Sequence, residues 1–296
     1  AVAGAPGWRR VAPGLTAERF WATPRAWKLE RWSGGGKRVA ITFDDGPSAT
    51  WTPLILAQLR RLHVPATFFV IGKNAAANPG LVSAEVAAGD LVGNHTFSHP
   101  NLAVTGGLRT RLEITTTSRI IAGITGRRPT MFRAPYSADT APSSPRDLIP
   151  LLRAQGLGMQ VVGASVDSQD YRRPSPQRIV QNVLRGLHQG NILLFHDGGG
   201  NRANTVAALP MVVSALRARG YHLVSVAQLL RASPATLMPR VTGTQLWLSR
   251  SVAWAAEGWF LMTRWVALLG IGLLGLLLLR SLLLAVLAVR HRRRGA

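Results

Sequence analysis

Residues 39–47 read Val-Ala-Ile-Thr-Phe-Asp-Asp-Gly-Pro, an apolar run that stops on two carboxylates and a turn. Val39–Phe43 predicts a buried strand, because a short apolar run bounded by turn residues is what a strand covered on both faces presents. Working outward, the same punctuation recurs. Trp51–Leu62 predicts a helix with Leu54, Ile55, Leu59 and Leu62 on one face, Ala66–Ile71 a strand, Pro79–Ala88 a helix and Leu91–Asn94 a short strand. A longer helix from about Leu108 to Ile124 leads to a strand at Thr130–Arg133, a helix at Pro145–Gln155 and a strand at Gly158–Val162. Pro176–His188 predicts a helix, Asn191–Phe195 a buried strand, Ala203–Arg219 a helix and Tyr221–Val226 a last strand. Strands separated by helices pair in parallel, so these roughly seven repeats predict an α/β fold. A barrel-like version of it carries its chemistry at the carboxyl ends of the strands.

Polar residues able to catalyse a reaction fall at those ends. Asp44 and Asp45 follow the first strand; successive residues on a regular strand point to opposite faces, so both reach one site only if the chain turns at Gly46. Alone, Asp-Gly-Pro reads equally as a strand stop with solvated carboxylates. His95-Thr96-Phe97-Ser98-His99 follows another strand, and two His at i and i+4 meet on one side of a helical turn. Two His and an Asp make an open metal site that leaves a position for water. After a third strand, Arg133-Ala134-Pro135-Tyr136 offers a guanidinium to an Asp and a backbone N–H to an oxyanion. Asp167-Ser168-Gln169-Asp170-Tyr171 and Leu194-Phe195-His196 complete the set; a carboxylate such as Asp167 tunes His196 as a general acid.

Five such motifs in order, from about Lys37 to Leu230, resemble carbohydrate esterase family 4, the polysaccharide deacetylases acting on chitin, peptidoglycan and nodulation factors. The resemblance implies an irregular (β/α) barrel and hydrolysis of N-acetyl groups on N-acetylated glycans with release of acetate. It implies that Asp45, His95 and His99 hold a divalent metal, commonly Zn²⁺, with Co²⁺ and others also suited to the donor set. By the same resemblance Asp44 is the base that activates a metal-bound water and Arg133 holds Asp44. The Tyr136 N–H stabilises the oxyanion, and His196 protonates the leaving amine with Asp167 setting its pKa. Tyr171 stands where the family's fourth motif ends in Trp, and Ser137 where a Gly is common. Two rival readings are a catalytically inactive glycan-binding relative and a metal amidohydrolase of small cyclic amides.

Charge and hydropathy add the setting. There are 35 Lys and Arg against 13 Asp and Glu, a formal +22, which suits an anionic partner or simply a basic surface. No nucleic-acid motif interleaves those residues with aromatics, so nucleic acid is not expected. Cysteine is absent, which excludes disulfides and thiolate metal sites. Trp265–Val289 is 25 residues long with Arg280 its only charge, enough for a tilted membrane span. His291-Arg292-Arg293-Arg294 on one flank and Trp254, Trp259 and Trp265 on the other predict a cytoplasmic C-terminus and an extracytoplasmic catalytic domain. The expected order is a Trp/Arg-rich lead-in with a Gly joint (1–36), the deacetylase domain (37–232), a linker (233–258), a transmembrane helix (259–290) and a basic tail (291–296). Residues 1–36 hold no apolar export signal, so one upstream is implied. The His196–Gly200 run before a membrane helix also resembles deacetylase halves fused to membrane glycosyltransferases.

Overall fold

The structure is a computed structural model that describes residues 17–23, 26–32, 36–136 and 145–294; Ser137 lies outside them. The strands are β1 (Ala17–Thr23), β2 (Ala26–Trp32), β3 (Arg38–Asp44), β4 (Ala66–Val70), β5 (Leu91–Asn94), β6 (Met131–Phe132), β7 (Gln160–Val161), β8 (Val166–Asp167), β9 (Ile192–His196) and β10 (His222–Leu223). The helices are α1 (Trp51–Leu62), α2 (Gly72–Ala77), α3 (Pro79–Ala87), α4 (Gly107–Thr125), α5 (Pro145–Gly156), α6 (Pro176–Gly186), α7 (Ala203–Ala218), α8 (Val226–Leu230), α9 (Pro234–Leu237) and α10 (Gly243–Arg294).

The strands form one sheet in the order β2-β1-β7-β6-β5-β4-β3-β9-β8, with β10 beside the start of β3. All pairings from β3 onward are parallel. The sheet curls as a half-barrel: β7 and β8 are consecutive in the chain yet lie at opposite ends of the parallel set, not paired with each other among the described residues. Register collects the chemistry. Asp44 lies opposite His196 on β9, and Asn94 opposite Phe132 on β6, so the segments after these strands emerge along one edge.

Three elements differ from the sequence reading. Residues 17–23 and 26–32, where no strand was expected, pair as antiparallel strands, and β1 also pairs with β7 at Glu18 and Val161. Leu54 is half exposed; the buried face of α1 is Thr52, Ile55, Leu56 and Leu59. The stretch read as a linker is largely helical, with Ser249 and Ala253 of α10 buried against Gly123 of α4. A β-carbon at Gly123 would strike the Ser249 carbonyl, so that contact needs glycine.

The core under the sheet is aromatic. Phe43 stacks on Phe68 at 5.2 Å between ring centroids and leans on Phe195 at 5.9 Å, all three fully buried. From Trp254 the chain forms a separate unit. Within Gly243–Ala285 an 18-residue stretch has a mean hydropathy of 2.3 and is unburied, making the helix a candidate membrane span by length and composition. Its large apolar side chains, from Val266 to Leu284, are exposed, which is the opposite of a soluble core helix. Truncating Phe43 to Ala is expected to cost the domain about 3–5 kcal/mol, read as a lower denaturant midpoint with unchanged slope.

Candidate active site

Asp44 closes β3, and Asp45 adopts a left-handed backbone with φ of 76°. This turn resolves the alternation problem, since it swings the second carboxylate back to the side of the first. The turn is closely braced. A β-carbon at Gly46 would overlap the Asp197 carboxylate and one at Gly198 the Asp45 carbonyl, so both backbones approach as only glycine permits. Asp197 is fully buried, accepts a 2.5 Å hydrogen bond from the Thr52 hydroxyl, and burial pushes its carboxyl up to about 7. The Asn74 side chain donates to the Asp45 carbonyl at 2.8 Å.

His95 and His99 meet across a loop and not on the helical turn that their spacing suggested: Thr96 and His99 have φ of 67° and 59°. The loop is tied from below by Glu113 of α4, whose carboxylate accepts from the Phe97 and Ser98 amides and the Ser98 hydroxyl at 2.7–2.8 Å. The imidazole rings lie 5.0 Å apart. His95 Nε2 and His99 Nε2 stand 3.6 and 3.1 Å from Asp45 Oδ1.

Several observations test whether this trio suits a cation. Its three donor atoms lie within 4.8 Å of one another. Asp45 Oδ1 is buried without a hydrogen-bond partner, an expensive state unless something positive meets it. Burial lowers the His95 pKa, against the pull of Asp44 and Asp45, and so favours the neutral ligand form. His95 Nδ1 donates to the Arg133 carbonyl at 2.8 Å, which turns the Nε2 lone pair toward Asp45 in the way metal-bound imidazoles are held. Burial alone would raise the Asp45 carboxyl, but the His99 imidazole 3.1 Å away and the fields of His95 and His196 hold it below the ordinary carboxylate range. The residues fit a divalent metal.

Arg133 is fully buried. It donates to Asp44 Oδ1 and the Thr42 hydroxyl, both at 2.7 Å, and to the Val162 and Gly163 carbonyls at 3.0 and 3.1 Å. Asp44 Oδ2 is left facing His95 Nε2 at 3.8 Å. Tyr136, φ 62°, presents its ring edge to His99 at 4.6 Å.

At the opposite wall, the acid bonded to His196 is Asp170, not Asp167. Asp170 Oδ1 meets His196 Nδ1 at 2.7 Å, while Oδ2 accepts from the His196 amide and the Thr205 hydroxyl at 2.9 and 2.8 Å. Asp167 instead ends β8, accepts from the Gln169 amide at 2.7 Å and lines the cavity wall. Burial by itself would lower the His196 pKa; the bond and charge of Asp170, helped by Asp44 and Asp45, override it and raise the group to about 9. The cavity, about 300 Å³, is lined by Asp45, His95, His99, Tyr136, Asp167, Tyr171, Leu194 and His196. Sequence reasoning assigned no role to Glu113, Asp170 or Asp197; Asp170 and Asp197 had a visible signal, since Asp170 lies inside one chosen motif and Asp197 directly follows His196 in another, whereas Glu113 had none.

A curled parallel sheet with a His-His-Asp trio, a carboxylate on one side and a carboxylate-bonded histidine on the other is an arrangement suited to metal-assisted hydrolysis. The sequence profile described as Polysaccharide deacetylase matches residues 33–162. The peptidoglycan-N-acetylglucosamine deacetylase PgdA of Listeria monocytogenes is 35% identical over 193 residues, 65% of this chain. The match spans only 39% of that relative's length. The chitooligosaccharide deacetylase of a Bradyrhizobium species is 37% identical over 207 residues, covering 66% of this chain and 91% of the relative. Among solved structures, the Bc1960 peptidoglycan N-acetylglucosamine deacetylase superposes with a TM-score of 0.63 at 33% identity, over 69% of this chain and 93% of its own. This chain belongs to the polysaccharide deacetylase family.

Two outcomes are expected from the geometry. Gly199 has φ of 72°, and a β-carbon there would lie 2.6 Å from Asp45 Oδ2, so Gly199→Ala should weaken Zn²⁺ binding by roughly 10–100-fold in a metal titration. Asp170→Asn should return the His196 pKa from about 9 toward its ordinary 6.5, read by imidazole NMR on metal-free protein. Since the folded pKa is the higher one, this pair's stabilisation is complete below pH 6.5 and lost as pH rises through about 9. In the variant that pH dependence should disappear.

Proposed function

We propose that this chain is a metal-dependent deacetylase that hydrolyses N-acetyl groups on N-acetylglucosamine-containing glycans. The observation that carries the reading is one metal-competent trio, Asp45, His95 and His99, sharing a cavity with His196 and backed by the buried Asp44 carboxylate beside His95. A two-histidine, one-carboxylate donor set suits Zn²⁺ or Co²⁺, and such a cation supplies Lewis acidity and makes water acidic enough to deprotonate near neutral pH.

The chain's own groups do the rest. Asp44, fixed through Oδ1 by Arg133, has Oδ2 available to accept the proton of the attacking water. The Tyr136 amide, without an acceptor among the described residues, can donate to the oxyanion that forms as the acetyl carbon becomes tetrahedral. His196, held protonated at neutral pH by Asp170, gives a proton to the departing sugar nitrogen, without which the amine is a poor leaving group. Tyr136 and Tyr171 flank the cavity as flat surfaces on which sugar rings can lie.

The helix from Gly243 supports a membrane tether. The basic run His291–Arg294 and the flanking Trp254, Trp259 and Trp265 favour a cytoplasmic C-terminus with the deacetylase domain outside, where acetylated envelope polymers lie.

Acetate release from N-acetylated chito-oligomers and from peptidoglycan, measured on the purified chain with Zn²⁺ or chelator, tests the activity. Release should require the metal, and Asp44→Asn should reduce kcat by about 10²–10⁴-fold with metal still bound. No release from either polymer by metal-loaded protein would overturn the reading.

A further inference from the structure

The segment after β8 departs from ordinary backbone geometry at both ends. Gln169 and Arg173 have φ of 56° and 58°, left-handed conformations that persist in residues with a β-carbon only where surroundings impose them. Here they do. Asp170 is anchored through its side chain as described, the Arg173 amide donates to the Asp170 carbonyl at 2.9 Å, and the Asn204 and Asn182 side chains hold the Pro174 and Ser168 carbonyls at 2.9 and 3.0 Å.

The fixed turn carries three consecutive exposed side chains, the first of them on the cavity wall. The Tyr171 ring lines the cavity, 5.6 Å from the His196 ring. The Arg172 Nε donates to the Tyr171 hydroxyl at 3.3 Å. The Arg173 guanidinium rests on Gly200, where a β-carbon would come within 3.1 Å of it. Neither guanidinium is ion-paired with a carboxylate among the described residues. Asp167 attracts Arg172 from the cavity wall, so Arg173 carries the less compensated charge. Two arginines on a rigid mount beside the reacting cavity are suited to an oxyanion, because the planar fork matches carboxylate and phosphate and the mount has already met the cost of ordering.

We propose that Arg172 and Arg173 read an acidic substituent, a carboxylate or a phosphate, on the glycan next to the sugar whose acetyl group enters the cavity. The enzyme then prefers acidic N-acetylated polymers over neutral ones. The identity of the polymer rests on the deacetylase reading; the anion contact rests on the rim alone.

N-acetylglucosamine oligomers of one length, unsubstituted, carboxymethylated or phosphorylated, are titrated onto the metal-loaded full chain in detergent. Binding is measured in an Asp44→Asn background, where the oligomers persist, and acetate release in the parent chain. The chain should bind the acidic forms about five- to tenfold more tightly than the neutral one, a preference that shrinks as salt rises. Arg172→Gln with Arg173→Gln should bind all three alike, with neutral-oligomer affinity changed by less than about twofold. Preference for one acidic form alone identifies the group being read. Equal binding of the three by the parent chain, or a preference that survives the double substitution, overturns the proposal. Binding is read apart from turnover, so selective acidic binding without acetate release would refute the deacetylase reading while leaving the rim in place.

Discussion

The buried guanidinium of Arg133 is the constraint on which the site is built. It enters from the end of β6 and bonds Asp44 and Thr42 of β3 and the carbonyls that follow β7, while its face lies 4.1 Å from the Phe69 ring of β4. Its own carbonyl receives the His95 imidazole from the loop after β5. Five segments are thereby referenced to one planar group. Burial lowers the Arg133 pKa and the Asp44 carboxylate opposes that shift. A buried pair of this kind adds little net stability over apolar packing, yet removing one partner typically costs about 3–5 kcal/mol because the other is left uncompensated. Its contribution is positional. It commits Asp44 Oδ1 to the scaffold and leaves Oδ2 facing His95 of the metal-competent trio.

Much of this was legible in the sequence, for identifiable reasons. The helix at Trp51–Leu62 and the strand at Leu91–Asn94 coincide with the observed elements because turn residues bracket a short periodic run. Catalytic candidates could be found because a parallel sheet delivers them immediately after strands, where a polar residue ending an apolar run stands out. Two kinds of information were not legible. One is backbone handedness: nothing in His-Thr-Phe-Ser-His announces that Thr96 and His99 turn left-handed, and helical spacing was the simpler reading. The other is long-range pairing. Glu113 looks like any helix-face carboxylate until the fold sets it under the Phe97 and Ser98 amides. Asp167 and Asp170 are equivalent candidates until the turn buries one of them on His196.

The glycine run after His196 shows the same limit from the other side. Read locally, Asp197-Gly198-Gly199-Gly200 is a flexible loop. In the structure Gly198 and Gly199 press on Asp45, and Gly200 carries the Arg173 guanidinium. The buried Arg202 donates to the Gly198 carbonyl at 2.7 Å. The glycines are there because side chains would occupy the space that the metal-ligand turn needs, so the run is rigid where its composition suggests freedom.

Electrostatics connect the two walls of the cavity. Asp44 and Asp45 lie on the metal side and Asp170 on the other, and all three raise the His196 pKa against its burial. The same carboxylates leave Asp45 Oδ1 short of a partner. A cation among them would satisfy that oxygen and act on His196 in the opposite sense, lowering its pKa from about 9 toward the range where a proton is both held and readily given near neutral pH. Metal affinity and acid strength are therefore two consequences of one charge arrangement, and a substitution that alters the carboxylates on either wall changes both.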